Sequence, residues 1–158
     1  MLRYARLLLL IPLAAFPLGC ARRSGSAGAG TEAGSASAAV AWSYDYEAAV
    51  TQAEAEGKPL MVDVFAARCT WCKHLDDTVF SRADVGEASR GFICVKVDGG
   101  ERPDIRDKLG VGGYPTIVFL APDGAEIGRV RGAVPYQVML DEMSAAQQKA
   151  GPPPAGSG

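Results

Sequence analysis

Two cysteines separated by two residues, Cys69 and Cys72, constrain the fold of this chain more than any other feature. They follow a strand-like apolar run, residues 60–65, and precede a helix-like run, residues 73–80. The spacing allows a disulfide across the first helical turn, where free N–H groups and the positive end of the helix dipole favour a thiolate. The pattern therefore predicts a strand, a redox-active dithiol and a helix in succession, with Cys69 exposed at the helix start and Cys72 one turn deeper.

Residues 1–19 are predicted to be a signal peptide of the lipoprotein type. Arginines precede an almost wholly apolar run from Leu7 to Leu18, which is shorter than the ~20 residues that span a bilayer. The run ends in Leu-Gly-Cys20, which resembles the end of a bacterial lipoprotein signal, although Pro17 stands where an aliphatic residue is usual. The alternative is an ordinary cleaved secretion signal. Both place the chain outside the cytoplasm, where disulfides persist.

One folded domain is expected between two flexible segments. Residues 20–41 consist largely of Gly, Ala and Ser and are predicted to form a tether, and residues 150–158 are predicted to form a disordered Pro- and Gly-rich tail. Residues 42–149 remain for a single domain with one core. The formal net charge of −2 provides no basic surface for nucleic acid, and we expect a monomer.

Helices and strands are predicted to alternate along the domain, which then finishes with a hairpin and a helix. Apolar patterns and turn residues predict strands at 60–65, 92–98, 116–120 and 126–131, and helices at 44–56, 73–80, 103–109 and 136–148. Residues 81–84 resemble a capping box and predict one more short helix that ends near Gly91. This order predicts an α/β fold in which helices flank a central mixed sheet.

Three separated motifs are more specific together than the cysteine pair alone. The first is the run from Leu60 to Lys73 around the cysteines, the second is Val95 to Asp98, and the third is Gly113 to Thr116 before an apolar strand. With these motifs, residues 42–148 resemble the thioredoxin family. The Cys-x-Trp-Cys-Lys pattern is similar to that of small extracytoplasmic thioredoxin-like proteins and of the periplasmic domain of DsbD-type reductases. The resemblance implies the thioredoxin fold and a thiol–disulfide oxidoreductase.

The resemblance also implies roles for particular residues. Cys69 would attack a substrate disulfide, and Cys72 would resolve the mixed disulfide. Asp63 lies six residues before Cys69, where thioredoxins carry a buried acid that takes the proton of the second cysteine. The alternative for Asp63 is a carboxylate that reaches solvent at a strand end. Tyr114 and Pro115 match the cis-proline site, whose backbone would pair with a bound peptide, whereas an ordinary trans proline would only start a strand.

Three further residues near these motifs have expected roles. Arg68 replaces the tryptophan that usually precedes the first cysteine, and it would either favour the thiolate and contact substrate or remain a solvated side chain. Trp71 lies between the cysteines and would contact a partner protein. Cys94 is expected to be a buried apolar filler, at the place where some thioredoxins have a lysine near the buried acid. Without that lysine, the pKa of the acid would be depressed less.

The predicted function is thiol–disulfide exchange with extracytoplasmic proteins, in the reducing or isomerising direction. The resemblance implies no cofactor, because electrons pass to or from a second dithiol protein. Lipid on Cys20 would anchor the chain to a bacterial membrane on the periplasmic side. Two alternatives stay open. One is a non-catalytic binding module with a structural disulfide, and the other is a metal-delivery protein that uses both thiols with or without His74, although no fourth ligand follows at plausible spacing.

Overall fold

A four-stranded mixed sheet forms the centre of the structure, a computed structural model that describes residues 39–151. The strands are β1 (Leu60–Phe65), β2 (Ile93–Asp98), β3 (Thr116–Leu120) and β4 (Glu126–Arg131). Their order is β2-β1-β3-β4, with β1 parallel to β2 and the other two pairs antiparallel. The predicted signal peptide, the predicted lipidation site Cys20 and most of the predicted tether and tail lie outside the described residues. The predicted domain start at residue 42 is too late, because Val40 is buried in the hydrophobic core and its N–H donates to the carbonyl of Phe80 at 3.0 Å.

Helices cover both faces of the sheet. They are α1 (Tyr46–Glu56), α2 (Thr70–Leu75), α3 (Ala83–Ser89), α4 (Pro103–Lys108) and α5 (Tyr136–Ala150). A π-helical turn, Asp76–Phe80, continues α2 without a break. The predicted α/β architecture with a mixed sheet is confirmed. No helix in the described range is both long and apolar enough to cross a membrane.

Local sequence explains where α1 begins and ends, but not where α3 begins. The carboxylate of Asp45 accepts a backbone N–H of the first turn of α1, and Gly57, at φ 63°, ends the helix in the left-handed conformation. The predicted capping box at residues 81–84 is wrong. Arg82 occupies the N-cap of α3 without a side-chain cap, and the hydroxyl of Ser81 donates instead to a carbonyl of the preceding turn.

The side chains of the parallel strands β1 and β2 alternate between two cores on opposite faces of the sheet. The first core lies against α1 and α4 and takes apolar residues from both strands: Leu60, Val62, Val64, Ile93, Val95 and Val97. The second core lies against α2, the π-helical turn, α3 and α5, and it contains Met61 and Cys94. By the same alternation, Asp63 and Lys96 point to the second face. The two charged residues are therefore directed toward the helix that starts at the cysteines.

The segment before α1 adds a short bridge at the β2 edge of the sheet. The carbonyl of Ser43 accepts the N–H of Lys96 at 2.9 Å, and the N–H of Ser43 donates to the carbonyl of Cys94 at 3.0 Å. The neighbouring Trp42 packs edge-on against Phe80, with 4.9 Å between the ring centroids. This segment thus covers the outer side of β2 and places an aromatic ring beside the π-helical turn.

Candidate active site

Cys69 and Cys72 form a disulfide at the start of α2. Cys69 is the N-cap residue of this helix, and its sulfur accepts the backbone N–H of Cys72 at an N···S distance of 3.0 Å. Cys69 is partly exposed, whereas Cys72 is only 5% exposed. The structure places the pair as predicted, with the outer cysteine at the helix start and the inner one in the first turn.

The start of α2 also favours a negative charge on the outer sulfur. The first turn of α2 contains no acidic residue, and the N–H of Cys72 already points at Cys69. In the reduced protein the same N–H and the helix dipole would stabilise a thiolate at this position. The neighbouring Arg68 is exposed to solvent. The arrangement supports a nucleophilic Cys69 and a protected Cys72, and their catalytic roles remain predictions.

Asp63 is 1% exposed and lies on the second face of β1. Its Oδ2 atom is 2.7 Å from the Nζ atom of Lys96, while its Oδ1 atom has no hydrogen-bond partner among the described residues. Burial raises the pKa of the Asp63 carboxyl, against the attraction of Lys96. The alternative that Asp63 reaches solvent is wrong. No hydrogen bond joins Asp63 to Cys72 in the described part of the chain, so the relay role of Asp63 stays a prediction.

The prediction that no lysine lies near the buried acid Asp63 is wrong, because Lys96 of the neighbouring strand binds it. Lys96 lies directly opposite Asp63 in the parallel register of β1 and β2, and Cys94 lies one side-chain pair away on the same face. The sequence contained a signal for this pair. A lysine between two valines of a buried strand, Val95 and Val97, requires a buried negative partner.

A second carboxylate, that of Asp76, also binds Lys96. The Oδ1 atom of Asp76 is 2.6 Å from Nζ, and the Asp76 side chain is 43% exposed while that of Lys96 is 7% exposed. Burial opposes the charge of Lys96, but the attraction of Asp63 and Asp76 outweighs it and raises the pKa of the lysine. Sequence reasoning missed Asp76. The one indication in the sequence is its position, four residues and about one helical turn after Cys72 on the same helix face.

Aromatic rings complete the surroundings of the lysine ammonium group. Three ring centroids lie between 5.1 and 5.6 Å from the Nζ atom of Lys96, those of Trp42, Phe65 and Phe80. The faces of such rings attract a cation, most strongly where water is excluded. Lys96 is therefore held as a cation by two carboxylates and three rings.

Cys94 is the buried filler that the sequence predicted. It is 8% exposed within the second core, and its thiol lies 3.6 Å from the carbonyl oxygen of Ser89. Burial raises the pKa of the Cys94 thiol to about 12, so the thiol stays protonated at neutral pH. Cys94 is not a redox partner of the disulfide in this arrangement.

The peptide bond between Tyr114 and Pro115 is cis, as the resemblance implied. Pro115 is buried, and the ring of Tyr114 lies so close to Gly99 that a Cβ atom there would come within 2.7 Å of a ring carbon. A cavity of about 220 Å³ is lined by residues 112–116 together with Arg131 and Gly132. The contact of this loop with substrate remains a prediction.

Trp71 is 64% exposed between the two cysteines. Its ring meets that of His74 edge-on, with 5.8 Å between the centroids, and both residues line a groove of about 360 Å³ against residues 133–136. His74 is exposed. Within residues 39–151, no group of three or more His, Cys, Asp or Glu side chains is placed to hold a metal ion. Trp71 is thus an exposed aromatic surface beside the disulfide.

A protein-family model and several relatives match this chain. The model described as "Thioredox_DsbH: Protein of unknown function, DUF255" matches residues 33–137, which is more than half of the chain. "Thiol:disulfide interchange protein DsbD" of Cronobacter sakazakii is 37% identical over 86 residues, which cover 51% of this chain and 15% of that protein. "Thioredoxin-like protein HCF164, chloroplastic" of Oryza sativa subsp. japonica is 32% identical over 94 residues, which cover 60% of this chain and 36% of that protein. The chain spans well under half the length of either relative.

A solved structure supports the same assignment. The solution structure of a thioredoxin from Thermus thermophilus superposes with a TM-score of 0.65 at 28% sequence identity, and the match covers 72% of this chain and 91% of that one. The predicted thioredoxin fold and the resemblance to thioredoxin-like proteins are confirmed. These relatives also agree with the predicted class, a thioredoxin-like thiol–disulfide oxidoreductase.

Proposed function

The chain belongs to the Thioredox_DsbH family of thioredoxin-like proteins, and from this premise we propose that it is a thiol–disulfide oxidoreductase acting on extracytoplasmic protein disulfides. One observation carries the proposal. A disulfide joins the N-cap of α2 to its first turn, with the outer sulfur of Cys69 partly exposed and Cys72 buried behind it. This asymmetry supports a reaction in which only Cys69 meets the substrate.

The reaction runs through two exchanges of sulfur. The thiolate of Cys69 attacks one sulfur of the substrate disulfide, and the other substrate sulfur leaves as a thiolate. The thiolate of Cys72 then attacks the sulfur of Cys69, releases the second substrate thiolate and closes the protein disulfide. Two electrons pass to the substrate, and a second dithiol protein returns them by the same chemistry. The reaction needs no cofactor.

Asp63 is proposed to accept the proton of Cys72 before the second exchange. The pKa of the Asp63 carboxyl is raised by burial, which makes this group a stronger base than an ordinary carboxylate. Its Oδ2 atom is bound to Lys96, and its Oδ1 atom is without a partner in the described structure. Oδ1 is therefore the oxygen that we assign to the proton.

Tyr114, Pro115, Trp71 and Arg68 are proposed to contact the substrate. The cavity beside the cis-proline and the groove beside Trp71 offer surfaces for an extended peptide, and the backbone of Tyr114 would pair with it in strand fashion. Neither of the two residues between the cysteines carries a positive charge. The lack of such a charge supports the reducing or isomerising direction over that of a strong oxidant.

The direct test of the function is insulin reduction with dithiothreitol as electron donor. Cys69→Ser should abolish turnover, while the matched variant Cys94→Ser should retain it because Cys94 is buried and unconnected to the disulfide. Equilibration with glutathione gives the direction, since a potential of about −270 mV is that of a reductant and one of about −120 mV that of an oxidant. Substantial insulin reduction by Cys69→Ser would overturn the proposal.

The cellular location is a separate proposal. Lipid on Cys20 would anchor the protein to the periplasmic side of a bacterial membrane, and the predicted tether after Cys20 would link this anchor to the folded domain. The apolar run before Leu-Gly-Cys20 supports it. Mass spectrometry of the mature N-terminus tests it. A lipid mass on Cys20 is expected, and an unmodified Cys20 or cleavage at another residue would overturn the anchor.

A further inference from the structure

One buried cation in this structure is shared by two carboxylates of very different exposure. The ammonium group of Lys96 lies 2.7 Å from Oδ2 of Asp63 and 2.6 Å from Oδ1 of Asp76. The Asp63 side chain is 2% exposed and that of Asp76 is 43% exposed. A single carboxylate would neutralise the lysine, so the second one requires an explanation.

The explanation follows from what happens when Asp63 takes a proton. With Asp63 as its only partner, Lys96 would then be a buried cation without a counter-charge, which is a strongly unfavourable state. That penalty would hold Asp63 in its charged form and make it a poor proton acceptor. With Asp76 in place, the ammonium group keeps a carboxylate at 2.6 Å whether Asp63 is charged or neutral.

We propose that Asp76 is a positioning residue that keeps Lys96 neutralised while Asp63 takes and returns the proton of Cys72. The inference rests on the proposed relay role of Asp63. In the second exchange the S–H bond of Cys72 breaks and an O–H bond forms on Asp63. When a donor dithiol later opens the disulfide, the leaving thiolate of Cys72 takes that proton back. Lys96 keeps its three protons throughout.

The position of Asp76 suits this role. It is the first residue of the π-helical turn and lies four residues after Cys72, so the two side chains share one helix face. Because Asp76 is partly exposed, water stabilises its charge in addition to Lys96. Asp76 thus joins the helix of the cysteines to the buried pair on β1 and β2.

The other charged groups near this site do not pair with Lys96 in the described part of the chain. Lys73, one turn before Asp77, is bound to that residue at 2.9 Å. A cavity of about 250 Å³ is lined by Lys96 and by three further charged residues, Asp98, Glu101 and Arg102. Arg102 is bound to Glu47 and Asp104, and none of the three forms an ion pair with Lys96 in the described structure. Asp63 and Asp76 therefore set the electrostatics of the lysine.

The experiment follows the second exchange alone. Reduced protein is mixed with Ellman's reagent, so that Cys69 forms a mixed disulfide and Cys72 then releases the second coloured thiolate in a single turnover. Asp76→Asn should leave Lys96 to Asp63 alone, which favours the charged form of Asp63 and weakens it as a base. In this variant the resolution rate should begin to rise at a lower pH than in the parent protein. The rate that it reaches at its plateau should be about three- to tenfold lower.

Matched variants separate this role from a structural one. Asp77→Asn alters a neighbouring carboxylate that is 57% exposed and bound to Lys73, and it should leave the profile unchanged. Asp76→Glu keeps the carboxylate and should restore most of the rate. Adding Asp76→Asn to Asp63→Asn should not shift the pH dependence of the resolution rate any further, because Asp76 acts through Asp63. The double variant should be less stable than either single variant, because Lys96 is then buried without a carboxylate.

Three outcomes would overturn the inference. The first is that Asp76→Asn slows resolution equally at every pH, the second is that it matches Asp77→Asn, and the third is that it adds its full effect on top of Asp63→Asn. Each is distinguishable from a failure of the proposed function. If Asp63→Asn slows resolution near neutral pH by a factor that shrinks at high pH, and Asp76→Asn does not shift the profile, only the role of Asp76 fails. If Asp63→Asn leaves the pH dependence unchanged, the relay itself fails and the inference with it.

Discussion

The two faces of β1 and β2 are built from the same two strands and differ sharply in chemistry. The face toward α1 and α4 is apolar in every position of both strands. The face toward α2 carries Met61 and Cys94, followed by the ion pair of Asp63 and Lys96. Burial of apolar surface is a sufficient reason for the first face. A buried ion pair is on average no more stabilising than apolar residues of similar volume, so the second face needs a reason in chemistry.

The charged pair is close to the helix that carries the cysteines. The charged pair lies on the face that packs against α2 and the π-helical turn, and Asp76 of that turn reaches down to Lys96. The disulfide lies at the start of the same helical stretch. The apolar face thus supports the fold, and the charged face supports the reactivity of the cysteines.

The largest expected effect is on the disulfide itself. Cys72→Ser should lose multiple turnover and accumulate covalent complexes with substrate, since Cys69 still attacks and nothing resolves the mixed disulfide. Non-reducing electrophoresis of the reduced variant mixed with oxidised insulin should show a complex that disappears on reduction. Cys94→Ser is the control and should form no such complex. A Cys72→Ser variant that turned over normally would contradict the assigned order of the two thiols.

Breaking the charged face should be the next largest effect. Lys96→Met keeps the volume of the side chain but leaves Asp63 buried without a cation, which should lower the free energy of unfolding by about 3–5 kcal/mol at alkaline pH. The pKa of Asp63 is raised in the folded state, so this loss grows as pH rises through that pKa and shrinks in acid. Urea melts at several pH values measure it. A loss that is independent of pH would contradict the account.

The matched change on the apolar face should behave differently. Leu60→Ala removes a side chain that is 1% exposed in the first core and should lower the free energy of unfolding by about 2–5 kcal/mol. No titrating group is involved, so the loss should be the same at every pH at which the variant is folded. The pH dependence of the resolution rate should also stay that of the parent protein. A shifted pH profile in Leu60→Ala would mean that the two faces are not separable.

The smallest effect concerns the third thiol of the domain. Iodoacetamide should label Cys69 in the reduced native protein at neutral pH and spare Cys94, because burial raises the pKa of the Cys94 thiol to about 12. Peptide mass spectrometry after short labelling measures both sites. Labelling in urea is the control and should modify both. Rapid labelling of Cys94 in the native protein would contradict this prediction, because it would mean that the charged face contains a reactive thiol.

Much of the fold was predictable because its signals are local. The strands at 60–65, 116–120 and 126–131 have the predicted bounds, since apolar runs and turn residues mark both ends. The predicted capping box failed because the hydroxyl of Ser81 has a competing acceptor, the carbonyl four residues earlier in the π-helical turn. Residue type alone does not show which of two backbone partners a hydroxyl takes.

The site was predictable only in part, for a related reason. Cys69, Cys72 and Asp63 belong to one continuous run, so their order and spacing were visible. Their partners are distant along the chain. Lys96 lies 33 residues after Asp63, and Asp76 lies 20 residues before Lys96. Which residue of β2 lies opposite Asp63 depends on the strand register, and the reach of Asp76 depends on the π-helical turn. Both are tertiary features without a local signature.

The central claim is that Asp63 is buried for proton transfer, and the pH–rate profile of Asp63→Asn tests it most directly. The variant keeps the shape of the side chain, and Lys96 keeps Asp76 as a partner. Because the folded-state pKa of Asp63 is raised, the parent protein loses stability as pH rises through that pKa, and the variant should be at least as stable above it. A denaturant melt of both proteins checks this.

The resolution rate decides the matter. We expect Asp63→Asn to slow the attack by Cys72 near neutral pH, by tenfold or more, and the defect to shrink at high pH, where Cys72 ionises without help. A defect of equal size at every pH, or a variant that no longer folds, would show instead that Asp63 is a structural residue.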